Sequence, residues 1–273
     1  MWKPQTADED NMKRRSRQKG FSLTEALLAA AILAVGLAMI AMVFPVGVKL
    51  ASQSAERTIG TVAADEAFAK IQLYKLNSFS DPDWPADTNS SVDCFRVSAV
   101  QVPDEEKFYP SAPTVEEKRY CWSALCRRTE PNTVQITVFV CRTTGQGGRY
   151  YDMGHTEEPQ QANNDNPWPV PVKLNVDFNS SIPRQLALGL NPDFDPASTV
   201  QRFVSEGCRI VDDATGNIYY VMERKNSLIT LSDNWQGAAA GRIWVVPPGV
   251  GSSRYPCVGV FQREISFPGL IDD

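Results

Sequence analysis

The chain holds one histidine, His155, among 273 residues, and that scarcity removes much familiar chemistry. A Ser-His-Asp site would have only His155, set after Gly154 and close to Glu157 and Glu158, and no G-x-S-x-G turn accompanies it. None of the six cysteines forms a C-x-x-C pair, so a structural zinc site lacks its usual ligand spacing. Gly145 to Arg149, GQGGR, lacks the lysine and the Ser or Thr of a phosphate loop and reads as a flexible turn. Asp81, Asp83 and Asp87, like Asp193 and Asp195, lack the glycine and distant glutamate of a calcium-binding loop. No catalytic residue, no cofactor and no metal is therefore expected. Basic charge is scarce as well: Lys and Arg number 27 against 32 Asp and Glu, for a net charge of −5. A nucleic-acid surface would need a basic patch, and the one dense basic run, Lys13 to Lys19, has another explanation.

Long apolar runs are equally few, and the one present dominates the chain. From Ala26 to Val48 there is no charged side chain. A helix rises about 1.5 Å per residue, so this run can cross a hydrocarbon core of about 30 Å. Lys13, Arg14, Arg15, Arg17 and Lys19 precede it, and the positive-inside tendency holds that end in the cytoplasm, with everything after the helix outside. A secretory signal has its apolar core before the cleavage site; here Gly20 stands ahead of it. Glu25 lies one turn inside the apolar edge, where an ionised carboxylate is costly unless paired.

Basic leader, Gly20, Phe21, Glu25 and a long apolar helix together resemble the class III signal of type IV prepilins and type II secretion pseudopilins. FSLTEALLAAAILAVGL is especially similar to minor pilins of the PilV kind and to related pseudopilins. The resemblance implies that a prepilin peptidase cuts after Gly20 and methylates Phe21. It also implies that Glu25 meets the N-terminal amine of a neighbouring subunit. Its partners would be other pilin or pseudopilin subunits and an inner-membrane assembly platform. The chain would sit as a single-pass inner-membrane protein, N-terminus cytoplasmic and head periplasmic, and then enter a filament of a type IV pilus or type II secretion-like machine. The alternative from another class is a membrane-anchored binding or adhesion protein that never polymerises; a third is an anchored hydrolase. Loss of the leader, which carries six basic and three acidic groups, would shift the formal charge from −5 to −8.

Three segments are expected: a leader at 1–20, a long helix at 21–78 with its membrane span at 26–48, and a β-rich head at 79–273. Beyond the span, Ile59, Val62, Ala63, Phe68, Ile71 and Tyr74 recur near helical spacing. Pro45 and Gly47 predict a kink or an unwound turn, and DPDWP ends the helix. Short β-like runs follow: Ser91 to Val102, the hairpin Arg119 to Arg142, Val172 to Phe178, the hairpin Gly207 to Arg224, and then LITL, RIWVVPP and CVGVFQR. Pro103 to Lys118 and Gly145 to Pro171 read as loops. The fold class is α+β, a long helix laid on a mostly antiparallel sheet, which is also the pilin-like layout. Trp84, Trp168 and Trp235 sit beside loop residues, where they would form an adhesive surface or pack underneath.

All six cysteines follow the membrane helix, and an even count in an oxidising compartment favours disulfides, with small buried thiols as the other fate. A four-residue connection in the first hairpin places Cys121 opposite Val140; a three-residue connection places it opposite Cys141. The candidate disulfide is Cys121 with Cys141. Cys126 then points to the other side of the sheet and is left to Cys94, Cys208 or Cys257.

Overall fold

The computed structural model describes residues 22–74, 95–97, 102–111, 119–130, 133–143, 149–152, 163–166, 168–178, 181–189, 203–250 and 255–266. The apolar run folds as one helix, α1, Leu23–Leu73. Helical structure continues through Pro45 and Gly47, so the unwound turn expected there is not present. A proline removes one amide donor, and here the flanking turns keep their geometry despite that loss. Tyr74 closes the helix, its N–H donating to the carbonyl of Lys70 at 2.9 Å. DPDWP lies outside the described residues.

By contacts the chain divides into Met1–Ser54 and Ala55–Asp273. In the first unit every residue from Leu23 to Ser54 is exposed, which for so apolar a sequence requires a non-aqueous surrounding or a partner. By length and composition α1 is long and apolar enough to cross a membrane.

The second unit contains the rest of α1 and two sheet systems. The first sheet is built on a hairpin of β3, Tyr120–Glu130, and β4, Thr133–Arg142. Two short strands, β1 at Phe95–Arg96 and β2 at Phe108–Tyr109, both pair with β3, and β13, Cys257–Ser266, pairs with β4. In the hairpin Cys121 faces Cys141 and the register holds to Arg128 opposite Val134; Thr129 is then bulged and Glu130 faces Thr133. This is the register of the three-residue connection. The bulge absorbs the extra residue without moving the cysteines.

Between β4 and β13 the chain makes a two-stranded ribbon and a barrel. The ribbon pairs β5, Tyr150–Asp152, with β6, Asn163–Asn166, inside the stretch expected to be loop. Its polar sequence carries no period-two apolar signal, so only the pairing reveals it. The barrel takes β7, Val172–Phe178, and β8, Gln185–Leu188, then β9, Arg209–Asp212, and β10, Ile218–Lys225. It is completed by β11, Leu228–Leu231, and β12, Ala240–Val245, closing in the order β10-β11-β8-β7-β12-β9. Leu174, Leu186, Ile210, Val221, Ile229 and Ile243 fill its interior. A barrel this narrow is a packed core, not a channel. The expected turn between β9 and β10 is present, with Gly216 at φ +73 and its N–H donating to Asp212 O at 2.9 Å.

Each face of the first sheet is covered. Phe68 and Ile71 of α1 pack with Trp122, Ala124, Ile136 and Val138 on one side. Cys121, Leu125, Phe139 and Cys141 meet Val211 and Trp244 of the barrel on the other. The fold is therefore α+β, a long helix packed against antiparallel sheet. Pro103 to Lys118 also departs from an exposed loop: Asp104–Lys107 is a turn of 3-10 helix, and Lys107 is buried with its ammonium 2.8 Å from Asp104.

Candidate functional site

Glu25 stands in the first turn of α1, where the partial positive charge of the helix N-terminus favours a carboxylate. Ser22 opens the helix: its carbonyl accepts the N–H of Ala26 at 3.1 Å, and its hydroxyl shares a 2.6 Å hydrogen bond with that of Thr24. Ser22 and Glu25 have the spacing of a capping box, a second reason for a helix start here that the basic-leader argument did not use. Gly20 and Phe21 lie outside the described residues. Leu27, Leu28, Ile32 and Leu33 follow Glu25, each more than 60 % exposed, so the carboxylate heads a bare apolar surface.

In the second unit, α1 docks through small residues. Gly60, Ala63, Ala64 and Ala67 are buried at spacings of three and four, which lets the helix backbone approach the sheet. A Cβ on Gly60 would come within 3.3 Å of a Val258 methyl, a tight contact, and 3.6 Å of the Phe261 ring, an ordinary one. Val62, expected on this face, is 48 % exposed. At 3.6 residues per turn it lies about 200° around the helix from both Gly60 and Ala64. Ion pairs border the seam: Glu56 with Arg142, Asp65 with Arg263 at 2.8 Å, and Lys70 with Glu66 at 2.8 Å and Glu106 at 3.0 Å. Burial alone would lower the pKa of Lys70, yet hydrogen bonds and charge from Glu66 and Glu106 hold it above the ordinary lysine value.

The structure brings Cys121 and Cys141 directly opposite one another. It also brings Cys257 of β13 opposite Cys141, where sequence had left Cys257, with Cys94 and Cys208, as one of three possible partners of Cys126. Cys126 faces the helix-side core, and Cys94 lies outside the described residues. Cys121, Cys141, Cys208 and Cys257 carry free thiols in this structure. Burial pushes Cys208 up to about 12, and burial likewise raises Cys121 and Cys141 well above the ordinary thiol range. Cys257 goes the other way: a hydrogen bond from the Cys141 thiol and the nearby Arg209 guanidinium lower it. The signal for Cys257 was the run CVGVFQR, but its partner depends on a bulge between Cys257 and Gly259 that no spacing rule announces.

Of the tryptophans, Trp235 is buried, its ring 5.1 Å from that of Tyr219 and its N–H donating to Ala238 O at 3.0 Å. Trp168 packs edge-on against Phe108 at 5.5 Å. Trp235 therefore packs inward, while Trp168 is partly exposed. His155, Trp84 and the aspartates at 81, 83, 87, 193 and 195 lie outside the described residues.

Residues 15–41 match the model of the prokaryotic N-terminal methylation motif. No curated protein matches the chain. The matched segment takes in Arg15, Arg17 and Lys19 of the basic run, then Gly20, Phe21, Glu25 and the apolar run as far as Ala41. It implies processing by a prepilin peptidase and association with other pilin subunits in general, and it indicates a structural protein. The chain carries the N-terminal methylation motif of the type IV pilin-like proteins, on a single apolar helix able to anchor it in a membrane.

Proposed function

We propose that this chain is a minor pilin or pseudopilin, a structural subunit of a type IV pilus or type II secretion-like filament. Prepilin peptidase cuts between Gly20 and Phe21 and methylates Phe21, and the head is delivered to the periplasmic side of the inner membrane. The observation that carries the reading is the coincidence of the motif at 15–41 with Glu25 at the head of a helix exposed from Leu23 to Ser54. Such a surface is matched by lipid before assembly and by the same helices of other subunits after it. In the filament, Glu25 accepts the charge of a neighbouring subunit's N-terminal amine, which replaces the water that both groups lose. The inner-membrane assembly platform is the machine that brings the two together.

Intact-mass and N-terminal analysis of the protein from cells with and without the peptidase tests the first step. The expected mature form begins at methylated Phe21. A form that keeps Met1 to Gly20 in the presence of peptidase overturns the reading and leaves a membrane-anchored binding protein that does not polymerise.

A further inference from the structure

Cys141 lies in the middle of three strands and faces a cysteine on each side, Cys121 of β3 and Cys257 of β13. Cys121 and Cys141 belong to the core between sheet and barrel, and Cys257 packs against it, so all three side chains share one face. Opposed pairs in antiparallel sheet alternate between hydrogen-bonded and non-hydrogen-bonded, and side chains approach more closely in the second kind. Backbone bonds fix the phase on both sides of β4. Thr143 N–H donates to Arg119 O at 3.0 Å, so that pair is hydrogen-bonded, and two residues along Cys121 with Cys141 is hydrogen-bonded too. Arg142 N–H donates to Pro256 O at 2.8 Å, so the adjoining pair, Cys141 with Cys257, is non-hydrogen-bonded.

A disulfide places its Cβ atoms about 3.5 to 4.5 Å apart. Opposed residues have Cβ separations of about 4.5 to 5.5 Å, with the short end belonging to non-hydrogen-bonded pairs. The Cys141 and Cys257 thiols shift one another through a hydrogen bond, whereas Cys121 raises Cys141, and is itself raised by Cys257, through charge alone. Among the described residues no cluster of His, Cys, Asp or Glu is arranged to hold a metal ion. We propose that Cys141 and Cys257 form a disulfide that ties β13 to β4 and closes the neck of the inserted barrel, with Cys121 kept as a buried thiol. The position gives the bond its purpose. The ribbon and the barrel all lie between Arg142 and Cys257, so one bridge fastens both ends of the insertion.

The oxidation has an order set by exposure and charge. Cys257 is partly exposed while Cys141 is fully buried, so an incoming disulfide donor, a small or protein disulfide RS–SR, meets Cys257 first. The Cys257 thiolate, favoured by its hydrogen bond from Cys141 and by Arg209, attacks one sulfur of the donor and expels RS⁻. Cys141 then gives up its proton and attacks Cys257 Sγ, expelling the second RS⁻. Two electrons pass from the protein sulfurs to the donor, which leaves as two thiols.

Trypsin separates the residues concerned: Cys141 on 129–142, Cys257 on 255–263, Cys208 on 203–209, and Cys121 with Cys126 on 120–127. Full-length protein in detergent is reduced, oxidised with glutathione disulfide, blocked with N-ethylmaleimide and mapped without reduction. The expected product links 129–142 to 255–263, and Cys121→Ser leaves its yield unchanged within twofold. A link from 129–142 to 120–127, a link from 255–263 to 203–209, or a Cys141 recovered unlinked from folded protein overturns the proposal. Because the oxidant is added in solution, this result is independent of whether the chain enters a filament.

Discussion

Replacing Phe68 by alanine removes the largest helix side chain in the seam between α1 and the first sheet. Phe68 is 3 % exposed and packs in the core that also holds Ile71, Trp122 and Val138. Phe→Ala in such a core costs about 3 to 5 kcal/mol, the lost transfer energy plus the cavity left behind. The Arg263 guanidinium lies 4.6 Å from the ring centroid and adds about 0.5 to 1 kcal/mol, at the low end because Arg263 is 51 % exposed. The bridge from Arg263 to Asp65 survives the substitution, but an exposed pair contributes only about 0 to 1 kcal/mol. Val62→Ala on the same helix is the control: at 48 % exposure it should change stability by no more than about 0.5 kcal/mol. Urea unfolding of the full chain in a non-denaturing detergent, followed by tryptophan fluorescence, reads both, since Trp122 lies in the affected core. Domains of 150 to 250 residues shift by about 2 to 4 °C per kcal/mol, so a thermal midpoint should fall by roughly 10 °C for Phe68→Ala. A loss below about 1 kcal/mol, or equal losses at the two positions, would refute the packing of the helix on the sheet.

Glu25→Ala should leave membrane insertion and leader cleavage intact but reduce incorporation into sheared filaments; wild-type incorporation would favour the anchored monomer. Gly216→Ala should destabilise by about 1 to 3 kcal/mol, because alanine is strained at φ +73 and its Cβ would meet Gln135 Oε1; an unchanged urea midpoint would show that this turn is not seated on the sheet. Under reducing conditions stability should fall as pH rises above about 9, because burial holds Cys208 and Tyr255 up to about 12 in the fold while the same groups ionise earlier in the unfolded chain. Their contribution is fully present below the ordinary thiol range and lost above it, so a urea midpoint flat from pH 8 to pH 10.5 would contradict it.

The helix and its signal were legible because each rests on local sequence: an uncharged run, a basic leader, a glycine and one carboxylate. Strands with period-two or continuous apolar patterns were legible too, and Val172–Phe178 and Leu228–Leu231 have the bounds read from sequence. Barrel closure was not. It depends on β12 pairing with both β7 and β9 and on β8 pairing with both β7 and β11, contacts between segments that no local pattern connects. The ribbon of β5 and β6 escaped notice because Asn163–Asn166 has no apolar residue to reveal a strand. Cys257 was visible as a residue but not as a neighbour of Cys141, since the bulge at Val258 shifts the register between Cys257 and Gly259.

The register of the central hairpin, which spacing left open between two connections, has its physical reason in parity. Paired positions there sum to an even number, so even residues face even ones: Trp122 with Val140, Ala124 with Val138, Cys126 with Ile136. In β4 the even positions Val134, Ile136, Val138 and Val140 are all aliphatic, whereas the odd positions include Gln135 and Thr137. An aliphatic face suits the apolar stripe of α1, and the mixed face suits a turn with backbone groups to satisfy. Those groups are met there: Arg127 donates to Thr215 O at 2.9 Å and Gln262 to Gly216 O at 2.8 Å, both from the turn between β9 and β10. A one-residue slip to the four-residue connection would set Trp122 and Cys126 against odd positions of β4. One strand would then turn its helix-facing set toward the barrel, since successive side chains alternate faces. The bulge at Thr129 is the smaller cost, because it displaces one exposed residue at the hairpin end and leaves two buried faces in phase. The cysteine arrangement follows from the same parity. Cys121, Cys141 and Cys257 fall on the barrel side while Cys126 falls on the helix side, so whatever bond Cys126 makes cannot involve the three that guard the neck of the barrel.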